Sequence, residues 1–171
     1  MKKRILSLLM ILLLAAVTAS AGAIAETAVS PLAGLSTVDM DGNAVDASIF
    51  ADAELTVLHV WATDCSPCIA EMPDIAAWSE ELPENVQVIG LIFDVLTPDD
   101  PTFSRARKIL DLSGASFVNL LNNDTLNPLT DMLIGTPTTY FLDTNGNFVD
   151  SPVLGAYLQA YIEKVDRLLG R

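Results

Sequence analysis

Residues 61–73, WATDCSPCIAEMP, contain the only two cysteines of the 171-residue chain, Cys65 and Cys68, separated by a serine and a proline. A dense run of β-branched and apolar residues at 55–61 precedes them and predicts a central strand that is covered on both faces. After the cysteines, apolar residues recur at helical spacing, and Pro73 is expected to kink that helix. The two cysteines are therefore predicted at a junction of strand and helix.

This placement indicates redox chemistry. Both sulfurs can meet at the helix N-terminus, where backbone N–H groups and the helix dipole favour a thiolate, the form that attacks another disulfide. Cys65 is expected to be the more exposed and to form the mixed disulfide, and Cys68 to resolve it. A structural bridge is a weaker interpretation because a four-residue ring contributes only about 2 kcal/mol. Structural zinc is disfavoured because the pair and the lone His59 supply at most three ligands.

The rest of the chain alternates strands and helices, which predicts an α/β fold with parallel strand pairing. The expected elements are a hairpin at 37–45, a strand at 86–93, a helix capped by Asp100 that ends near Gly114, a short strand at 117–120, a short helix at 124–133, a hairpin of strands 138–142 and 147–149, and a last helix at 156–169.

The N-terminus has the layout of a signal peptide. Three cations precede an uncharged apolar run, and an A-x-A motif at 23–25 offers a cleavage site. An uncleaved anchor is the other interpretation, because the uncharged stretch is long enough to span a bilayer. No cysteine lies near the run, so a lipidated cysteine anchor is excluded. We expect a leader or anchor at 1–25, a tether at 26–35 and one extracytoplasmic domain at 36–171.

The charge of the chain excludes several partners. Residues 1–25 hold three of the nine Lys and Arg and none of the 22 Asp and Glu, so their removal takes the net charge from −13 to −16. Such a surface repels phosphate backbones and anionic lipid heads. We therefore expect no nucleic-acid binding and membrane contact only through the leader or anchor. We also expect a monomer.

Two segments carry a family resemblance. Residues 61–63 are similar to the W-A-x segment, and residues 68–73 to the C-x-x-E-x-P ending, of the exported TlpA/ResA-like thiol-disulfide oxidoreductases in the thioredoxin superfamily. Residues 135–143, GTPTTYFLD, resemble that family's G-x-P-T-x-F-x-x-D strand, with Tyr140 in place of phenylalanine. The resemblance extends from about residue 36 to 170. It implies a thioredoxin-like fold, a central mixed sheet flanked by helices, with an N-terminal β-hairpin.

The resemblance also implies site residues. Thr136-Pro137 should be cis and lie against the cysteine pair, which leaves the Thr136 backbone free to pair with an extended substrate strand. Glu71, three residues after Cys68, matches a family glutamate beside the dithiol. A partly buried carboxylate there can accept and return the proton of Cys68. A solvated helix glutamate is the alternative interpretation.

Near the dithiol, His59 and Asp64 depart from the family pattern, and the sequence leaves two roles open for His59 and for Trp61. His59 replaces a buried aspartate of thioredoxin, or the asparagine common in TlpA/ResA-like proteins, and is either a proton relay or a core histidine. Asp64 replaces an aromatic residue and should raise the pKa of Cys65. The intervening Ser66-Pro67 adds no cation that would stabilise a thiolate, so we predict a reductant. Trp61 either lines the dithiol or packs in the core.

The predicted function is that of an extracytoplasmic disulfide reductase acting on exported proteins, for which the family suggests apocytochrome c and copper-centre assembly proteins. No cofactor is expected. The sequence has no nicotinamide or flavin fingerprint, so electrons must come from a membrane thiol donor. The alternatives are a disulfide oxidase or isomerase, and a copper-binding chaperone that uses Cys65, Cys68 and His59. A peroxiredoxin is disfavoured because its P-x-x-x-T-x-x-C pattern would need proline and threonine at Leu58 and Ala62.

Overall fold

The computed structural model describes residues 30–171, so the leader or anchor at 1–25 and the first part of the expected tether lie outside the described residues. The fold is built on a five-stranded mixed sheet, next to which lies a separate two-stranded hairpin. None of the helices between residues 30 and 171 is long and apolar enough to cross a membrane.

The described elements follow the predicted order. The strands are β1 (Ser36–Val38), β2 (Ala44–Asp46), β3 (Leu55–Trp61), β4 (Val86–Ile92), β5 (Asn119–Leu121), β6 (Thr138–Leu142) and β7 (Val153–Leu154). The helices are α1 (Ser66–Glu81), α2 (Phe103–Ser113), α3 (Asn127–Thr130) and α4 (Leu158–Leu168), and 3-10 turns occupy Ala47–Asp52 and Asp124–Leu126. Pro73 lies inside α1, which continues to Glu81.

The central strand of the sheet is β3. The strand order is β5-β4-β3-β6-β7, with β3 parallel to β4 and antiparallel to β6. All seven residues of β3 are buried, as its continuous apolar run predicts. Because β6 runs antiparallel, its first residues lie at the same edge of the sheet as the end of β3. Val60 is paired with Thr138 there, so the segments that follow β3 and precede β6 meet at this edge.

Side chains alternate along β3 and divide the core. Leu58 and Val60 belong to a cluster that includes Phe50 of the first 3-10 turn. Val57 and Trp61 face the opposite side, where they pack against residues of α1, α2 and α4. The predicted mixed sheet between helices is confirmed, and α1, which carries the cysteines, covers one face of it.

The N-terminal hairpin is also present. Strands β1 and β2 pair antiparallel, and a bridge between Asp39 and Leu120 and a hydrogen bond from the Thr37 hydroxyl to the Leu121 carbonyl join the hairpin to β5. The tether prediction is wrong for residues 30–35, because Leu32 and Leu35 are buried in the cluster that contains Leu58. The two leucine side chains pack against the fold and remove apolar surface from water, which holds this short segment in place.

Two boundaries differ from the prediction for a local reason. Asp100 does not cap α2. Its carboxylate instead accepts hydrogen bonds from the backbone N and hydroxyl of Thr102, and the helix begins at Phe103. Such hydrogen bonds from a side chain to nearby backbone compete with regular helical structure, so the helix starts after this turn. The strand predicted at 147–149 is reduced to one bridge between Leu142 and Phe148, and β7 is the strand that pairs with the side of β6 away from β3.

Candidate active site

The cysteines lie where β3 leads into α1. They form a disulfide, and Cys65 is the N-cap residue of α1, with its Sγ accepting a hydrogen bond from the Cys68 backbone N at 3.3 Å. Pro67 occupies the first turn of the helix, where proline is favoured because that turn needs no backbone N–H. Cys65 is half-buried and Cys68 is fully buried. A disulfide partner therefore reaches Cys65 first.

The loop before the disulfide is held from the neighbouring strand end. Thr63 is buried, and its backbone N and its hydroxyl both donate to the carboxylate of Asp94, which follows β4. Asp64 is exposed beside them. Asp94 was not predicted from the sequence, where its only signal was an acidic residue at the carboxyl end of a predicted strand. The contact fixes the backbone immediately ahead of Cys65.

Trp61 belongs to the core below the disulfide. It is fully buried in a cluster with Cys68, and its Nε1 donates to Oδ1 of Asn119 at 3.0 Å. The Asn119 side chain crosses the face of β4 at Gly90, where a Cβ would run into it. Of the two interpretations of Trp61, the structure favours the core residue, and it places Trp61 in the same cluster as the buried Cys68.

A buried carboxyl group lies on the same inward face of α1. Glu71, one helical turn after Cys68, is only 7% exposed. Its carboxyl oxygens lie 3.4 and 3.3 Å from the hydroxyl of Tyr161 on α4, and Oε1 lies 3.7 Å from Nε2 of His59 on β3. The structure thus brings Glu71 and His59 together, and it adds Tyr161, which the sequence did not predict.

Burial changes the ionisation of both groups. Loss of hydration raises the pKa of Glu71 from its ordinary 4.5 to about 7, opposed by the hydrogen bond with Tyr161 and assisted by the negative charge of Asp74. Burial lowers the pKa of His59 from 6.5 to about 3. Near neutral pH the imidazole is therefore uncharged, and Glu71 can gain or lose a proton. A buried carboxyl in this condition is suited to proton exchange.

The loop before β6 completes this edge of the sheet. The Thr136-Pro137 peptide bond is cis, as the family resemblance implied. Pro137 is buried and its carbonyl accepts from the Gly155 backbone N at 2.8 Å, whereas Thr136 remains half-buried. Because Thr138 pairs with Val60, this loop lies at the sheet edge from which the cysteine segment departs. Among residues 30–171, no three His, Cys, Asp or Glu side chains are grouped so that they could hold a metal ion.

Comparisons with known proteins agree with this architecture. The sequence model of the family described as Redoxin matches residues 20–157. The thioredoxin-like protein YneN of Bacillus subtilis (strain 168) is 28% identical over 100 residues, which are 58% of this chain and 56% of that protein. The match therefore spans only about half the length of this relative.

Solved structures also match. The match to a DsbF homologue from Corynebacterium diphtheriae has a TM-score of 0.66 at 20% identity, and it covers 80% of this chain and 85% of the homologue. StoA from Bacillus subtilis has a TM-score of 0.59 at 16% identity and covers 76% of this chain and 93% of its own. The predicted thioredoxin-like fold is confirmed by these likenesses.

Proposed function

The chain belongs to the redoxin family and is a TlpA/ResA-like member of the thioredoxin superfamily, and on that premise we propose that it is a thiol-disulfide oxidoreductase that reduces disulfides of exported proteins. The observation that carries the proposal is the Cys65–Cys68 disulfide at the N-terminus of α1, with one sulfur accessible and the other buried above Glu71. This asymmetry assigns different roles to the two sulfurs.

The reaction begins with the reduced pair. The Cys65 thiolate attacks one sulfur of the substrate disulfide, a mixed disulfide forms, and one substrate thiolate leaves. The Cys68 thiol then gives its proton to the Glu71 carboxylate and attacks Cys65. The second substrate thiolate leaves, and Glu71 returns the proton to solvent or to that thiolate. Two electrons pass to the substrate, and the chain is left with the Cys65–Cys68 disulfide seen in the structure.

The direction of electron flow is argued from the surroundings of Cys65. The exposed Asp64 places a negative charge next to it, and Ser66-Pro67 provides no cation. A thiolate at Cys65 is therefore stabilised mainly by the helix N-terminus and by the Cys68 N–H. A less stable thiolate makes the dithiol the better electron donor. Oxidation or isomerisation of disulfides is the competing direction, and the reduction potential distinguishes them.

Substrate binding is assigned to the cis-proline loop. The half-buried Thr136 precedes β6 at the sheet edge, where its backbone can pair with an extended segment of the substrate. The signal-peptide pattern of residues 1–25 supports an extracytoplasmic location. There electrons come from a membrane thiol donor, because no soluble reductant persists outside the cell. Apocytochrome c and copper-centre assembly proteins are candidate substrates of this kind.

Trapping of the mixed disulfide tests the proposal. The reduced Cys68→Ala variant should form a stable disulfide-linked adduct with insulin, detected by non-reducing electrophoresis and mass spectrometry, because the resolving thiol is missing. The matched Cys65→Ala variant should form almost none, since Cys68 is buried. Equal trapping by both variants, or trapping by neither, would contradict the assigned roles.

A further inference from the structure

His59 is the only histidine of the chain, and its two ring nitrogens have different surroundings. The ring is 1% exposed on the central strand. Its Nδ1 lies 2.9 Å from the hydroxyl oxygen of Thr139, the residue paired with it on β6. Its Nε2 is buried and has no hydrogen-bond partner among residues 30–171, and the nearest acid oxygen is Oε1 of Glu71 at 3.7 Å. A buried ring nitrogen that forms no hydrogen bond destabilises the fold, so nearly all such atoms in proteins have a hydrogen-bond partner.

Tyr161 alone does not supply the hydrogen-bond donor that an ionised Glu71 needs. Its hydroxyl has a single proton, and the Gly155 carbonyl at 2.7 Å is a closer acceptor than either oxygen of Glu71, at 3.4 and 3.3 Å. Tyr161 can donate this proton to only one of these acceptors at a time, and the shorter distance favours Gly155. While Tyr161 donates to Gly155, an ionised Glu71 needs a buried donor from its other side, where His59 Nε2 lies 3.7 Å from Oε1.

We propose that His59 positions Glu71 through both of its neutral tautomers, one of which holds the carboxylic acid and the other the carboxylate, with the Thr139 hydroxyl reorienting between them. This inference rests on the proposed proton exchange at Glu71. It makes His59 a positioning residue, because it acts on the dithiol only through Glu71.

His59 carries one ring proton in both tautomers, whereas Glu71 carries a proton with one tautomer and none with the other. When Glu71 is protonated, His59 carries its proton on Nδ1 and donates to the Thr139 oxygen, and the free Nε2 accepts from the acid. When Glu71 is ionised, His59 carries its proton on Nε2 and donates to the carboxylate, and Thr139 donates to Nδ1. Either bond requires Nε2 and Oε1 to approach by roughly 0.7 Å, from 3.7 Å to the usual length of about 3.0 Å.

The other ionisable groups around the pair do not replace this exchange. Tyr161 faces it from α4, with ring centroids of Tyr161 and His59 6.1 Å apart, and burial raises its pKa above 10. Asp74 acts on Glu71 from the exposed side of α1. The two cations of α4, Lys164 and Arg167, are both paired with Asp150. From β6 the group that faces His59 is the uncharged hydroxyl of Thr139. Burial keeps the imidazole itself neutral, with a pKa near 3.

Nitrogen NMR of the intact chain tests the proposal directly. In the untagged, oxidised protein labelled with ¹⁵N-histidine, every imidazole signal belongs to His59. The ring should stay neutral from pH 5 to pH 9, and the proton-bearing nitrogen should change from Nδ1 to Nε2 as Glu71 ionises. One unchanged tautomer across this range would overturn the inference, and because this uses wild-type protein, no variant has to fold.

Two variants test whether the ionisation of Glu71 drives the tautomer change. In Glu71→Gln the amide does not titrate, so the tautomer change with pH should be lost; the same change in that variant would assign it to another group and overturn the inference. Asp74→Asn is the matched control and should keep the change at a lower midpoint, because a negative charge near Glu71 is removed. The readout needs no substrate. If mixed-disulfide trapping succeeds while the tautomer stays fixed, only the inferred role of His59 is contradicted. If the tautomer changes but no mixed disulfide is trapped, only the proposed function is contradicted.

Discussion

Replacing Glu71 with glutamine should stabilise the oxidised protein near neutral pH and have much less effect in acid. The folded chain holds the pKa of Glu71 at about 7, against an ordinary value of 4.5, because the carboxyl is buried. Folding therefore favours the protonated acid. The favourable contribution is fully present below pH 4.5 and is lost as pH rises to about 7, above which the wild type keeps a constant penalty for its buried carboxylate. Glutamine does not ionise and avoids that penalty.

The size of the effect follows from the pKa difference. At 1.36 kcal/mol for each pKa unit, a change from 4.5 to about 7 corresponds to about 3 kcal/mol. This is a substantial part of the roughly 5–15 kcal/mol that stabilises a typical domain. The gain in unfolding free energy of Glu71→Gln over the wild type should therefore be about 3 kcal/mol larger at pH 8 than at pH 4. Taking the difference between the two proteins removes the contribution of other titrating groups that the substitution leaves unchanged.

Urea unfolding followed by circular dichroism measures this difference, with the Cys65–Cys68 disulfide kept intact at both pH values. Glu81→Gln is the matched control, because it changes an exposed glutamate at the last residue of the same helix. The control should lack the large pH dependence expected for Glu71→Gln. A stability difference for Glu71→Gln that is equal at pH 4 and pH 8 would refute the reasoning, since Glu71 would then ionise as easily in the folded chain as in the unfolded one.

Two further substitutions test other parts of the site. Asp64→Trp should lower the pKa of Cys65 in the reduced protein, because a neighbouring negative charge is removed. The pH dependence of the Cys65 alkylation rate measures this pKa, and an unchanged value would show that the Asp64 carboxylate does not affect the Cys65 thiolate. Gly90→Ala should cost about 1–3 kcal/mol in chemical denaturation, because its Cβ runs into the Asn119 side chain that binds Trp61. The cost should shrink in an Asn119→Ala background, and a cost that is unchanged there would place the clash elsewhere.

The sequence predicted the elements whose signal is local. The bounds of β3 were predicted without error, since a continuous apolar run is typical of a strand covered on both faces. The position of the cysteines at the start of α1 followed from the change of periodicity after them. The cis bond at Pro137 came from the family resemblance alone, because most X-Pro bonds in folded proteins are trans.

The parts that were missed depend on contacts between distant segments. Tyr161 lies 90 residues from Glu71, and Asn119 lies 58 residues from Trp61. Periodicity indicates which face of a helix or strand is buried, but not which polar group lies opposite. The two local errors, at Asp100 and in the segment 147–149, arose where side chains of a turn bind the backbone and compete with regular structure.

The reduction potential of the Cys65–Cys68 pair tests the proposed reductase function most directly. The intact protein is equilibrated in thiol buffers of known potential, quenched by alkylation and analysed by mass. A reductase should have a value close to that of thioredoxin, about −270 mV. A value near −120 mV, as in strong oxidants of this superfamily, would contradict the proposed function, because the reduced pair would then be too stable to donate electrons to substrate disulfides.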